Sequence, residues 1–155
     1  MGRSPHRRLV HAVAVTAALA AMLADPRIDA GIDMDGSTRG LVPASGLSRP
    51  FLFLGTRAHH SPGGPDTSWD LDWSRLTGWK RWLTVAGTEH ASFTDVALVA
   101  DQLGIDIGAA VTGARGMRIT RRYNLAMFDL HLRHRAQPLL DRPSPHYPEV
   151  TIAAR

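Results

Sequence analysis

Short apolar runs and amphipathic segments alternate along the chain. Residues 27–34, 50–56 and 80–87 have the length of β-strands, and the second run, PFLFLGT, is apolar at almost every position. A run without alternating polar positions is typical of a parallel strand that is covered on both faces. The pattern therefore predicts three strands of a buried parallel sheet.

Helical patterns occupy the segments beside these strands. Residues 67–79, 92–103 and 116–134 are predicted to form helices, whereas residues 57–66 and the Pro-rich tail from Gln137 are predicted to lie on the surface as loops. Strands that alternate with helices predict an α/β fold with a parallel sheet. Because so narrow a sheet would have unprotected edges, we expect the chain to be part of a larger sheet with flanking helices.

The N-terminal segment fits two structures. Residues 1–8 are basic and residues 9–24 are mostly apolar, which is the pattern of a secretory signal peptide. The same residues fit an Ala-rich helix that ends at Asp25-Pro26, and a buried strand pattern follows at once, as in the helix-to-strand step of a parallel sheet. The first structure implies secretion, and the second leaves a cytoplasmic location.

Composition excludes several classes of protein. The 155 residues are 44% hydrophobic and 21% charged, which fits one folded domain. The net charge of +4 comes from scattered arginines rather than a basic stripe, so nucleic acid is not an expected partner. The absence of Cys removes disulfides, thiol nucleophiles and thiolate metal sites. No apolar run is long and clean enough to span a bilayer.

Two residues that can carry chemistry follow predicted strands. Asp35 comes after the strand at 27–34, and His90 comes after the strand at 80–87. Active groups of open α/β sheets gather at the carboxyl ends of the strands. A carboxylate and an imidazole there are two members of a Ser-His-Asp system, in the chain order that α/β-hydrolases use. The residues alone leave open a simple Asp35-Gly36 turn and an ordinary loop histidine.

Four blocks of sequence resemble the platelet-activating-factor acetylhydrolase-like lipases. In the family's order they are AAMLADPRIDAGIDMDG, RPFLFLG, GWKRWLTVAGTEHASFTD, and YNLAMFDLHL with PLLDRPSPHYPEV. The resemblance implies that residues 12–155 are the C-terminal part of an α/β-hydrolase domain. Residues 1–11, which precede that part, are predicted to be a basic, disordered terminus. The resemblance also implies ester hydrolysis through an acyl-serine, with Asp35 as the catalytic acid, His90 as the base, a lipid or small ester as substrate, and no metal or cofactor.

The chain departs from this family at the nucleophile. The family carries G-H-S-x-G-G just before the Ala-rich helix. Alignment without gaps from Asp35 places VHAVAV, residues 10–15, at that motif, with Ala12 where the serine should be. Ser4 lies in GRSPH, which matches the nucleophile motif only in part and comes too early in the chain. We therefore expect the remnant of a serine ester hydrolase that is inactive alone, with a truncated or frameshifted gene copy favoured over an evolved inactive domain.

Other side chains admit both functional and structural interpretations. His59-His60 suggests a metal loop, but no ordered carboxylates are nearby and a solvated loop is favoured. Arginines beside His131 and His134 favour an exposed basic helix face over a metal site. Core packing is favoured over a lipid-facing surface for the tryptophans, which are Trp69, Trp73, Trp79 and Trp82. Two alternatives to the hydrolase stay open: a non-catalytic domain that binds lipid or a partner, and a small secreted protein.

Overall fold

The computed structural model describes residues 8–12 and 17–154, the first of these ranges by its backbone alone. Within these residues five strands and five helices are joined by loops and two short 3-10 helices. In chain order the elements are β1 (Arg8–Ala12), α1 (Ala17–Ala24), β2 (Ile28–Met34), β3 (Phe51–Thr56), α2 (Arg57–His60), α3 (Ser68–Arg75), β4 (Lys80–Val85), a 3-10 helix (His90–Phe93), α4 (Val96–Leu103), α5 (Gly113–Arg133), a 3-10 helix (Pro138–Leu140) and β5 (Val150–Ala154).

One sheet contains all five described strands, in the order β1-β2-β3-β4-β5. The first four strands are parallel to one another, and β5 pairs with β4 in the antiparallel sense. The parallel strands therefore end at a common edge. There β2 ends at Met34, β3 at Thr56 and β4 at Val85. The loops that follow β2 and β4 carry Asp35 and His90, so the topology brings both residues to this edge.

The sheet is covered on both faces, which explains why its central strands are apolar throughout. All six residues of β3 are buried, and the side chains of residues 51–54 alternate between two core clusters. One cluster packs against α5 and is built on Ala30, Ile32, Met34, Leu52, Leu54, Leu83, Val85, Phe93, Ile119, Tyr123, Ala126, Met127, Leu140 and Val150. The other packs against α1 and α3 and is built on Ala18, Leu19, Met22, Ile28, Val42, Leu47, Phe51, Phe53, Trp69, Leu76 and Trp82.

Residues 17–24 of the Ala-rich segment form α1, whereas residues 9–12 of the same segment lie in β1 and not in the predicted helix. Ala18, Leu19 and Met22 are buried against the sheet. The helix approaches β2 closely at Gly31, where a Cβ would lie 2.5 Å from the Met22 sulfur. A glycine in the strand is therefore what lets helix and strand make this contact.

The predicted α/β fold is confirmed, and the three predicted strands correspond to β2, β3 and β4. Two strands were not predicted. Arg8–Ala12 forms β1, so the interpretation of residues 1–11 as a disordered terminus is wrong for residues 8–11, whose backbone pairs with β2. The tail from Gln137, predicted as a surface loop, ends in β5 because residues 150–154 cover the open edge of β4. No described helix has the length and apolar character needed to cross a membrane.

Candidate active site

Asp35 is the first residue after β2, and its carboxylate is held from the neighbouring strand. Its backbone adopts a positive φ of 59°, a conformation that Asp tolerates better than most residues. The Asp35 backbone N–H donates to the Leu54 carbonyl, and the Thr56 backbone N–H donates to the carboxylate Oδ1 at 2.6 Å. The side chain is only 4% exposed. The end of β3 therefore fixes one carboxylate oxygen and leaves the other available.

His90 meets that second oxygen. The imidazole Nδ1 lies 2.9 Å from Asp35 Oδ2, although the two residues are 55 positions apart in the chain. His90 begins the 3-10 helix after β4, and the loop before it is tied down because the Glu89 backbone N–H donates to the Ser92 hydroxyl. The His90 side chain remains 61% exposed. The structure thus brings together the two residues that the sequence predicted as acid and base.

This geometry defines what the pair can do chemically. An aspartate oxygen that accepts a hydrogen bond from Nδ1–H fixes the imidazole in that tautomer, which leaves the Nε2 lone pair free to take a proton. The buried carboxylate also stabilises the imidazolium that forms when the ring takes a proton. The arrangement therefore suits general acid–base catalysis on a group that approaches the exposed side of His90.

A third polar side chain, His60, contacts Asp35 of this pair. The sequence did not predict it as a site residue. The sequence assigned His59 and His60 to a solvated loop. That is wrong for His60, which ends α2, is 3% exposed and stacks on Trp69 with ring centroids 4.1 Å apart. Its Nε2 lies 3.5 Å from Asp35 Oδ1. The loop-like composition of residues 57–66 hides this burial, which depends on a tryptophan from α3.

Gly55 lets these three side chains converge. A Cβ at this position would lie 2.6 Å from the Trp69 ring, 2.9 Å from Asp35 Oδ1 and 3.1 Å from the His60 ring. Real Cβ contacts do not occur at the first two of these distances. The glycine in the motif LFLGT is therefore a packing requirement of the site, since no side chain fits between the ring, the imidazole and the carboxylate.

Two further carboxyl groups border the site. Burial pushes the pKa of Asp66 upward, but hydrogen bonds from Ser37 and Ser68 outweigh it, and the pKa is lowered. Burial raises the pKa of Asp33 in β2 to about 7, against the effect of a hydrogen bond from the Gly36 backbone N–H. The lowered pKa keeps Asp66 an anion at neutral pH, whereas burial favours the neutral form of Asp33.

Ala12 is the last residue of β1, where its backbone pairs with Asp33 of β2. This strand end belongs to the same edge of the sheet as Asp35. The structure describes only the backbone of Ala12, and Ser4 lies outside the described residues. The assignment of Ala12 to the nucleophile position therefore stays a prediction from the sequence.

The other candidates from the sequence are structural. Trp69 and Trp82 are fully buried, and Trp73 and Trp79 are partly buried and packed against the two core clusters, so core packing is confirmed for the tryptophans. His131 is half-buried against Trp79 rather than exposed, and burial lowers its pKa to about 4. No cluster of three His, Asp or Glu residues suited to a metal ion occurs in the described part of the chain.

Comparisons with known proteins point to esterases. No protein-family model matches the chain. A probable 1-alkyl-2-acetylglycerophosphocholine esterase of Arthroderma benhamiae is 31% identical over 172 residues, which cover 96% of this chain and 44% of that protein. A solved structure of a ferulic acid esterase from Streptomyces cinnamoneus is 42% identical and superposes with a TM-score of 0.79 over 88% of this chain and 43% of that chain.

This chain spans less than half the length of each relative, a share that fits the C-terminal half predicted from the sequence. The chain therefore carries part of an α/β-hydrolase fold and is similar, over that part, to a probable 1-alkyl-2-acetylglycerophosphocholine esterase and to a ferulic acid esterase.

Proposed function

We propose that Asp35 and His90 are the acid and the base of a serine carboxylic-ester hydrolase centre. The observation that carries the proposal is the 2.9 Å contact between His90 Nδ1 and a buried carboxylate whose other oxygen is already bound by the Thr56 backbone. The substrate class is a lipid or small acyl ester, which is supported by the esterases that the chain resembles. The chemistry requires neither a metal nor a cofactor.

In the proposed centre, the serine nucleophile has been replaced by Ala12. A methyl group cannot attack a carbonyl carbon, so no acyl-enzyme can form at that position. His90 would still be oriented correctly, but it would have no hydroxyl to deprotonate. The chain on its own is therefore proposed to retain the acid–base pair without turning over esters.

Hydrolysis of p-nitrophenyl acetate by the purified chain and its His90→Ala variant tests this proposal. The expected result is the same background rate for both proteins. A rate above background that disappears in His90→Ala would contradict the proposed inactivity, and a rate that survives His90→Ala would contradict the role of the pair. Trp73→Leu serves as a control outside the site.

The alternative of a lipid-binding surface built from tryptophans is not supported. Two of the four tryptophans are fully buried, and the indole N–H of Trp69 donates to the Gly36 carbonyl inside the fold. The ring of Trp82 likewise donates to the His60 carbonyl at 2.7 Å. These residues stabilise the loops beside the acid–base pair instead of facing a ligand.

A further inference from the structure

His60 is held in place by contacts that do not involve its ring nitrogens. It ends α2, directly beyond β3, and its ring stacks on Trp69 at an interplanar angle of 16°. Its backbone carbonyl accepts the indole N–H of Trp82 at 2.7 Å. Because stacking and the backbone fix the ring, its two nitrogens have set directions inside the protein.

One of these nitrogens faces the carboxylate that orients His90. His60 Nε2 lies 3.5 Å from Asp35 Oδ1, the oxygen that also accepts the Thr56 backbone N–H. Asp35 Oδ2 is thereby left for His90. The carboxylate is therefore bounded on one oxygen by strand β3 and His60, and on the other by His90.

The second nitrogen indicates which one carries the proton. Nδ1 of His60 is buried and has no hydrogen-bond partner among the described residues, and its nearest carboxylate oxygen, on Asp66, is 3.9 Å away. Burial lowers the pKa of His60 more than the Asp35 and Asp66 charges and a hydrogen bond with the Asp35 backbone raise it. A neutral imidazole has one N–H, and the side of the ring that faces Asp35 is the side with an acceptor.

We propose that His60 is a positioning residue for the Asp35–His90 pair: its ring faces the Asp35 backbone and carboxylate Oδ1, and its N–H holds Asp35 in the orientation that presents Oδ2 to His90 Nδ1. A neutral donor suits this task because it restrains the carboxylate without supplying a full charge to compete with the imidazolium of His90. The proposal rests on the proposed function for its catalytic meaning. The orientation of the pair can nevertheless be measured without any catalysis.

The tautomer of the His90 ring is the direct readout. Long-range 1H–15N correlations of the imidazole distinguish Nδ1–H from Nε2–H, and a well-placed Asp35 favours Nδ1–H. Three substitutions separate the donor from the shape of the ring. His60→Gln keeps an N–H donor at the place of Nε2, His60→Met has a similar length without a donor, and His60→Phe keeps the stacked ring without a donor.

The positioning role predicts that His60→Gln retains the Nδ1–H tautomer of His90, whereas His60→Met and His60→Phe shift the ring toward Nε2–H. Asp35→Ala removes the carboxylate and therefore gives the reference value for a His90 ring whose tautomer is not restrained. A purely structural role predicts the opposite order, with His60→Phe closest to the wild type and His60→Gln no better than His60→Met. That order, or no change in any variant, would overturn the proposal.

Thermal melting separates positioning from loss of fold. His60→Phe is expected to melt near the wild type, because its ring can still stack on Trp69, while its His90 tautomer changes. If His60→Phe does not fold, the pair of His60→Gln and His60→Met still decides the question, because both lose the stacked ring equally. Ester hydrolysis that is independent of His90 would refute the proposed function and leave the tautomer result standing.

Discussion

Replacement of Asp33 by Asn isolates the energetic cost of a buried carboxyl beside the Asp35–His90 pair. Asp33 is 4% exposed, and its Oδ1 accepts the Gly36 backbone N–H at 2.9 Å. The nearby carboxylates of Asp35, Asp66 and Asp72 add to the effect of burial, which is the largest cause of its raised pKa. Asparagine has the same shape, keeps an acceptor for Gly36, and cannot ionise.

The magnitude follows from the pKa. Because the pKa rises from 3.8 to about 7 on folding, and each unit is worth about 1.4 kcal/mol, ionisation costs the folded state about 4 kcal/mol. The folded state binds the proton more tightly than the unfolded state. The stabilisation is therefore complete below the unfolded pKa of 3.8 and is lost as the pH rises through about 7.

Urea denaturation across a pH series measures this cost. The difference in free energy of unfolding, Asp33→Asn minus wild type, is expected to increase by about 4 kcal/mol between about pH 4 and pH 9. Asp29→Asn, a change at a half-exposed position of the same strand, is the matched control. Since His60 is present in both proteins, its own titration cancels in the difference. A difference that stays constant with pH would refute the reasoning.

Three further predictions concern the same region. Asp72 is buried and accepts the backbone N–H groups of residues 40–42, so Asp72→Ala should lower the free energy of unfolding by about 3 kcal/mol or more in urea, and a loss below about 1 kcal/mol would count against this role. Gly55→Ala should lower the melting temperature and disturb the Asp35 carboxylate, because the new Cβ would lie 2.9 Å from Asp35 Oδ1. The disturbance should change the tautomer of the His90 ring, and an unchanged tautomer would contradict the packing geometry. Burial lowers the pKa of His60 below its usual 6.5, so its contribution to stability should be lost as the pH falls below about 6.5, and the stability of wild type relative to His60→Gln should decline in that range.

Strand ends could be predicted from the sequence because they depend on local pattern. The apolar runs predicted β2, β3 and β4, and the residues just beyond β2 and β4 then identified Asp35 and His90. Parallel strands end at one edge of a sheet, so this step needs only the type and order of the elements. The pair is close in space for that reason.

The elements that were missed depend on distant partners. β5 lies in a Pro-rich tail and is a strand because it pairs with β4, about 70 residues earlier in the chain. β1 follows basic residues and pairs with β2 across α1. Neither segment has a pattern that distinguishes it from a loop or a terminus without its neighbour.

His60 was missed for a similar reason. Its local sequence, RAHHSPGGPD, has the composition of a solvated loop. Its burial depends on the ring of Trp69 from α3 and on the missing side chain at Gly55. The direction of its Nε2 toward Asp35 depends on both, and neither can be inferred from residues 57–66 alone.

Restoring the nucleophile motif tests the central claim most directly. The variant carries Val10→Gly, Ala12→Ser, Ala14→Gly and Val15→Gly, and its control carries the three glycines with Ala12 retained. Both are treated with a fluorophosphonate ester, and the mass of the intact protein reports a covalent adduct on the new serine. The account predicts an adduct on the restored protein alone, and its loss when His90→Ala is added. Equal labelling with and without His90 would contradict the claim that Asp35 and His90 form the acid–base pair of a serine hydrolase.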